Sequence, residues 1–292
     1  MTEPRMIVAF EKDSLPAHLN RLIAEISSAA IKERGVFTIA LSGGSLPSFL
    51  EELEDAFTTS YGDDDEEEEE MEMNESKWHV ILADERCVPS SDAQSNLREL
   101  KKLLFCKTGS LRDLPKNQIH GINESLLEES ADAVAQDYEA TVKSVLEKSG
   151  GFLDLAVVGF GPDGHTCSLF PDHELLKEET KLVAAITDSP KPPSSRVTLT
   201  LPVLNTMTRN VIVCGAGSSK GPILRNSFLS LAKNTDTPYK VPRGALYKIQ
   251  MEDPAPYPCA MVAPNIEGVE NTLTWIVDAE AMSSGESAPS PY

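Results

Sequence analysis

Much is excluded by what this 292-residue sequence lacks. No apolar run reaches the ~18 residues that a membrane-crossing helix needs, and no charged-then-apolar leader opens the chain. No C-x-x-C pair occurs. The five cysteines (Cys87, Cys106, Cys167, Cys214 and Cys259) are odd in number and widely spaced. Such a pattern fits reduced thiols in a cytoplasmic protein rather than a disulfide framework. Neither H-E-x-x-H nor a Cys/His cluster appears, so no metal site is expected. Basic residues are scarce: 26 Lys and Arg stand against 46 Asp and Glu, a net charge of −20. This argues against nucleic acid and anionic membrane as partners, because both require Lys and Arg on phosphates. A small anionic substrate remains compatible, since a local cationic pocket outweighs the global charge. No lipidation signal and no internal repeat is found.

What is present suffices for a sizeable core without staples, at 40% hydrophobic residues. The acidity is uneven. Residues 63–75 hold ten acidic and no basic side chains, and read as a solvated insertion loop over 62–76. The Ser-, Pro- and Gly-rich residues 283–292 read as a frayed tail. The remainder, 1–282, reads as a single domain. Leu15, Leu19, Leu22, Ile23, Ile26 and Ala30 predict a helix over 14–34, capped by Ser14 and ended by Gly35. Short helices are predicted around Phe49–Leu53 and Leu97–Leu104. A capping box at Ser125 and Glu128 is predicted to open a helix running to Gly150. Another helix is read through Ile223, Leu224, Phe228 and Leu231. Apolar runs at Val36–Leu41, Trp78–Ala83, Leu153–Val158, Leu182–Ile186, Val211–Cys214 and Cys259–Val262 predict strands. Continuously apolar strands alternating with helices indicate a mainly parallel sheet covered on both faces.

Ligands in such folds bind at the carboxyl ends of the strands. Four predicted strands end in chemistry there. The first runs into Ser42-Gly43-Gly44-Ser45, a glycine turn feeding a helix, suited to an anion. The second runs into Asp84-Glu85-Arg86, where Asp84 or Glu85 could orient water or a hydroxyl. The third runs into Gly159–Thr166, which displays Asp163 and His165 among glycines. An imidazole there suits proton transfer near neutrality. The fourth runs into Gly215–Lys220. With Arg196, which begins a β-branched run, Arg86 and Lys220 make three cations for a phosphorylated ligand. Two motifs are decoys. Gly159-x-Gly161-x-x-Gly164 matches the dinucleotide fingerprint, but Pro162 and Pro171 leave little crossover helix. Gly217-x-Ser219-x-Gly221 matches a nucleophile elbow, but no histidine follows it in the chain.

Five ordered blocks carry a family resemblance: TIALSGGSLP, WHVILADERCVP with Ser95-Asn96, DLAVVGFGPDGHTCSLFP, SSRVTLTLPVLN and GAGSSK. Together they resemble 6-phosphogluconolactonases of the glucosamine-6-phosphate isomerase/6-phosphogluconolactonase family, over roughly residues 10–280. The resemblance implies a Rossmann-like three-layer α/β sandwich of the sugar-phosphate isomerase/deaminase kind. It implies hydrolysis of 6-phospho-D-glucono-1,5-lactone to 6-phosphogluconate in the pentose phosphate pathway, without cofactor or metal. His165 would be the general base, Asp163 and Asp84 its active-site companions, and Ser42, Gly43, Gly44, Arg86, Arg196 and Lys220 the substrate and phosphate site. The acidic run departs from the family pattern as an insertion, and Phe160 stands where Met is common. A sister deaminase is disfavoured, because the Asn-Glu pair that it carries after the His is Thr166-Cys167 onward here. A sugar-phosphate sensor without catalysis is disfavoured by the intact His165 loop. A monomer acting on a small molecule is the default expectation.

Overall fold

The computed structural model describes residues 4–58, 71–234 and 243–283. Along them run β1 (Arg5–Ala9), α1 (Leu15–Arg34), β2 (Phe37–Leu41), α2 (Asp55–Thr58), β3 (Trp78–Leu82) and β4 (Asp84–Arg86). Then come α3 (Asn96–Leu103), β5 (Ile119–His120), α4 (Ala131–Lys148), β6 (Leu153–Gly159), β7 (Val183–Ile186) and β8 (Arg196–Leu199). The last elements are α5 (Leu201–Thr206), β9 (Thr208–Gly215), α6 (Gly221–Ser227), β10 (Phe228–Lys233), β11 (Gly244–Met251), β12 (Thr272–Asp278) and α7 (Ala279–Ser283).

Nine strands form one sheet in the order β10-β11-β1-β12-β9-β6-β2-β3-β5, and β4-β8-β7 form a second, antiparallel sheet. Among the described residues the large sheet is parallel from β5 to β1, and at the far edge β11 runs against β1 and β10 pairs antiparallel with β11. β2 is buried at every residue and β6 at all but its last, as expected of strands covered on both faces. The α/β class with a mainly parallel sheet is therefore as the sequence predicts.

From β2 the chain builds outward through β3 to β5. It then returns to β6 on the other side of β2 and continues to β9 and β12. The winding direction reverses between β2 and β6. Such a switch point opens a crevice at the strands' carboxyl ends, because the connections leave in opposite directions.

Several local expectations need correction. Ser14 does not cap α1 with its side chain: Pro16, in the first turn, has no N–H to offer, and the Ser14 hydroxyl donates to the Glu11 carbonyl instead. Gly35 does end α1, in the left-handed region at φ 72°. The Ser125/Glu128 capping box does not form. Asn123 caps a 3₁₀ turn there, and Ser130 caps α4 by accepting from the Ala133 N–H at 3.0 Å. Phe228 and Leu231 are not helical. The chain turns extended after Ser227 and pairs with β11 as an edge strand. Cys259–Val262 is not a strand but largely a 3₁₀ turn, with Pro258 in its first turn. The sequence pattern gives no strand for β1, β4, β5, β8, β11 or β12.

The acidic insertion lies outside the described residues up to residue 70. Residues 71–76 are not simply solvated: Met71 and Met73 pack against the core, and Glu75–Lys77 forms a 3₁₀ turn. Of the tail, only Ser283 is described, at the end of α7.

Candidate active site

At the switch point the carboxyl ends of β2, β6 and β9 meet β4 and β8 of the small sheet around a cleft of about 260 Å³. Ser42 continues the β2 ladder by donating its N–H to the Val157 carbonyl at 3.1 Å. The chain then leaves through two glycines. A Cβ at Gly43 would lie 1.9 Å from Asn96 Oδ1, and Gly44 is left-handed at φ 70°. Ser42, Gly43 and Gly44 all face the cleft.

The loop after β6 folds back on itself. The Gly161 N–H donates to the His165 carbonyl at 2.8 Å, and the Gly164 N–H to the Gly161 carbonyl at 3.0 Å. This closure presses His165 against Asp163, with His165 Nδ1 2.5 Å from Asp163 Oδ1. The imidazole stacks on Phe170, centroids 5.0 Å apart. Its Nε2 engages no group among the described residues, and the ring borders the cleft. No helix follows this loop directly, so the dinucleotide fingerprint has no helix N-terminus to offer a pyrophosphate.

Lys191 joins the pair from the β7–β8 loop. Its Nζ lies 2.9 Å from His165 Nδ1 and 3.1 and 3.0 Å from the two Asp163 oxygens. Burial pushes the His165 imidazole below its ordinary value. The bond and charge of Asp163 oppose this, and the charge of Lys191 reinforces it. Burial would raise the Asp163 carboxyl, but hydrogen bonds from His165 and Lys191 prevail and hold it at about 2.

Asp84 is buried, and its Oδ2 accepts from the Ser168 hydroxyl at 2.8 Å. Asn96 Nδ2 donates to the Asp84 carbonyl at 2.8 Å. Glu85 turns away from the cleft. It accepts from the N–H groups of Arg86, Asn96 and Leu97 and from the Ser95 hydroxyl, fixing the N-terminus of α3 to β4. Of the two carboxylates in the Asp84-Glu85 pair, Asp84 is thus the one at the site.

Three cations line the cleft: Arg86, Arg196 and Lys220. Antiparallel pairing sets Arg86 directly beside Arg196. Burial pushes the Arg196 guanidinium down, and the neighbouring Arg86 adds to it. Burial likewise lowers the Lys220 ammonium, with Lys191 adding to it. Lys220 Nζ donates to the Phe160 carbonyl and lies over that ring. Arg86 and Arg196 thus stand side by side in the cleft wall, with Lys220 on the same cleft. An anionic ligand relieves that arrangement.

Every predicted site residue is thus brought together, with Asp163 behind His165 rather than on the cleft wall. Lys191 was missed, because an isolated lysine among prolines carries no signal in one sequence. Ser168 and the structural use of Asn96 were also not predicted as site features. Among the described residues, no group of three or more His, Cys, Asp or Glu could hold a metal ion.

A family model described as glucosamine-6-phosphate isomerases/6-phosphogluconolactonase matches residues 11–275. A Schizosaccharomyces pombe protein named "Probable 6-phosphogluconolactonase" is 42% identical over 75% of this chain and 81% of its own length. The 6-phosphogluconolactonase of Bos taurus is 35% identical over 95% of this chain and 93% of its own. Among solved structures, a 6-phosphogluconolactonase from Leishmania guyanensis superposes with a TM-score of 0.68 at 25% identity, covering 98% of this chain and all (100%) of that one.

Proposed function

The chain belongs to the glucosamine-6-phosphate isomerase/6-phosphogluconolactonase family, and from that premise we propose that the cleft between β2 and β6 is its active site, with His165 as general base. The reaction is hydrolysis of 6-phospho-D-glucono-1,5-lactone to 6-phospho-D-gluconate, in the pentose phosphate pathway. The observation that carries the site assignment is the state of His165. Nδ1 is engaged by Asp163, while Nε2 engages no group among the described residues and its ring borders the cleft.

The chemistry follows from that arrangement. Donation of Nδ1–H to Asp163 leaves the basic lone pair on Nε2. Nε2 takes a proton from water as the water oxygen bonds to the lactone carbonyl C1, and the carbonyl electron pair moves onto its oxygen. The tetrahedral oxyanion then re-forms the carbonyl, the bond from C1 to the ring oxygen breaks, and the imidazolium returns its proton to that oxygen. Arg86, Arg196, Lys220 and the amides of the Ser42–Gly44 turn hold the phosphosugar. The remote phosphate so fixes C1 against the base. Asp84, braced by Ser168 and Asn96, orients substrate hydroxyls or water. No metal or other cofactor enters this scheme.

The test is turnover of freshly generated lactone, read through 6-phosphogluconate dehydrogenase and corrected for spontaneous opening. His165→Ala is expected to lose ~10²–10⁴-fold in kcat with unchanged thermal unfolding, and EDTA to leave the wild type unaffected. Near-normal turnover by the variant would remove His165 from the mechanism. We further propose a cytoplasmic monomer without nucleic-acid or membrane partners. In support, all five cysteines are unpaired and no helix among the described residues is long and apolar enough to cross a membrane. Light scattering tests the monomer.

A further inference from the structure

The corner around His165 holds one more charge than a base and its orienting carboxylate require. Lys191 Nζ reaches both Asp163 oxygens and His165 Nδ1 together. Nδ1 can donate to Asp163 or accept from Lys191, but not both at once. The first arrangement leaves Nε2 as a base. The second leaves Nε2 protonated, which cannot deprotonate water. Which one holds depends on Asp163 staying ionised and better placed than Lys191 to engage Nδ1.

The backbone of Lys191 is itself anchored. Its carbonyl accepts from Arg196 Nη2 at 2.8 Å and from the Ser189 hydroxyl at 2.9 Å. Arg196 also donates to the Pro192 carbonyl at 3.1 Å and the Pro193 carbonyl at 3.0 Å. A buried arginine of the small sheet thus holds this loop over the catalytic corner. A lysine serving only solubility needs no such support.

We infer that Lys191 is a positioning residue for the proton cycle of His165: it keeps Asp163 ionised as the acceptor of Nδ1–H, and its charge drives the imidazolium proton onto the departing ring oxygen. This rests on the reading of His165 as the base. The balance is simple. The proton that Nε2 takes from water is the one it gives to the ring oxygen, and Lys191 neither gives nor takes one. The other charges facing the ring are Asp163 on its own loop and Asp84 on β4. Lys220, ahead of α6, faces Lys191 and Asp163. Arg196 on β8 lies over the Phe170 ring on which His165 stacks, and Arg86 lies beside Arg196. Removing Lys191 leaves two carboxylates close to the imidazole with one fewer opposing cation. The sign is therefore fixed: His165 protonates more easily in the variant.

The experiment is the pH dependence of kcat/KM for wild type, Lys191→Met, Lys191→Arg and His165→Ala, with thermal unfolding of each. In Lys191→Met the acid limb is expected to move upward by about one pH unit, the scale of one neighbouring charge. Its kcat is expected to fall with KM little changed. Lys191→Arg, which keeps the charge, is expected to return the limb toward the wild-type position. Should the Met variant be too slow to profile, ¹⁵N-histidine NMR reads the same titration. The His165 signals are identified by their loss in His165→Ala. An unmoved limb and an unmoved ¹⁵N titration in Lys191→Met, with His165→Ala inactive, would overturn the role of Lys191 and leave the base intact. An active His165→Ala would instead overturn the base itself.

Discussion

Gly161 sets the width of the catalytic corner. A Cβ there would lie 2.0 Å from His165 Nδ1 and 2.4 Å from Asp163 Oδ1. Lys191 and Phe170 hold the pair on two of its other sides. Gly161→Ala is expected to displace the pair by about an ångström and to lower kcat by about 10²-fold, the usual cost of such a misplacement. KM should change little, since Arg86 and Arg196 lie on other elements. Steady-state kinetics on the folded variant checks this. A near-wild-type kcat would mean the loop yields elsewhere. At this scale the sequence shows which residue does chemistry but not what surrounds it. His165 stands out among glycines, whereas Lys191, 26 residues away, is joined to it only by the fold.

At the scale of elements, the opposite ends of the strands carry a different kind of polar cluster. Asp154 on β6 is fully buried. It accepts from the N–H and hydroxyl of Thr38 on β2, each at 2.9 Å, and from Arg34 at the end of α1 at 2.8 Å. Arg209 on β9 approaches it at 3.5 Å. One carboxylate thus ties a helix end to three neighbouring strands. Asp154→Ala removes the acceptor of the Thr38 N–H and the carboxylate that Arg34 and Arg209 share, while Arg34 keeps Glu33 and Arg209 keeps the Ser149 carbonyl. The expected loss is about 3 kcal/mol of stability, the lower end for breaking a buried pair, because Arg34 keeps some solvent. Urea unfolding measures it, and kcat/KM of the folded protein should be unchanged at this distance from the cleft. A loss below ~1 kcal/mol would show that the pairs behave as surface ones. Elements were legible where their period was unambiguous. α1 and β6 were, but Phe228–Lys233 was not, since its apolar spacing suits either a helix or an edge strand. Pairing with β11 decided it.

Over the whole molecule, a net charge of −20 surrounds a cleft lined by three cations. Residues 63–70 supply eight of the negative charges. Replacing those eight by Gly and Ser is expected to leave kcat/KM unchanged at physiological salt, where screening acts within ~8 Å. At low salt a modest rise is expected, because repulsion of the anionic substrate is removed. A large loss at physiological salt would give the segment a role in catalysis. Extending the change through Met73 is expected to lower the melting temperature, because Met71 and Met73 pack on the core. Composition and local pattern by themselves determined the class of the molecule: alternating helices and apolar strands, a mainly parallel sheet, an anionic surface, and four chemically loaded strand ends. Those properties depend on residues near one another in the chain. Only the tertiary structure decided that β2 and β6 are neighbours at a switch point, that Glu85 caps a helix while Asp84 faces the cleft, and that Arg196 braces the loop bearing Lys191. Those contacts join segments far apart in sequence, and it is strand order, not local propensity, that brings them together.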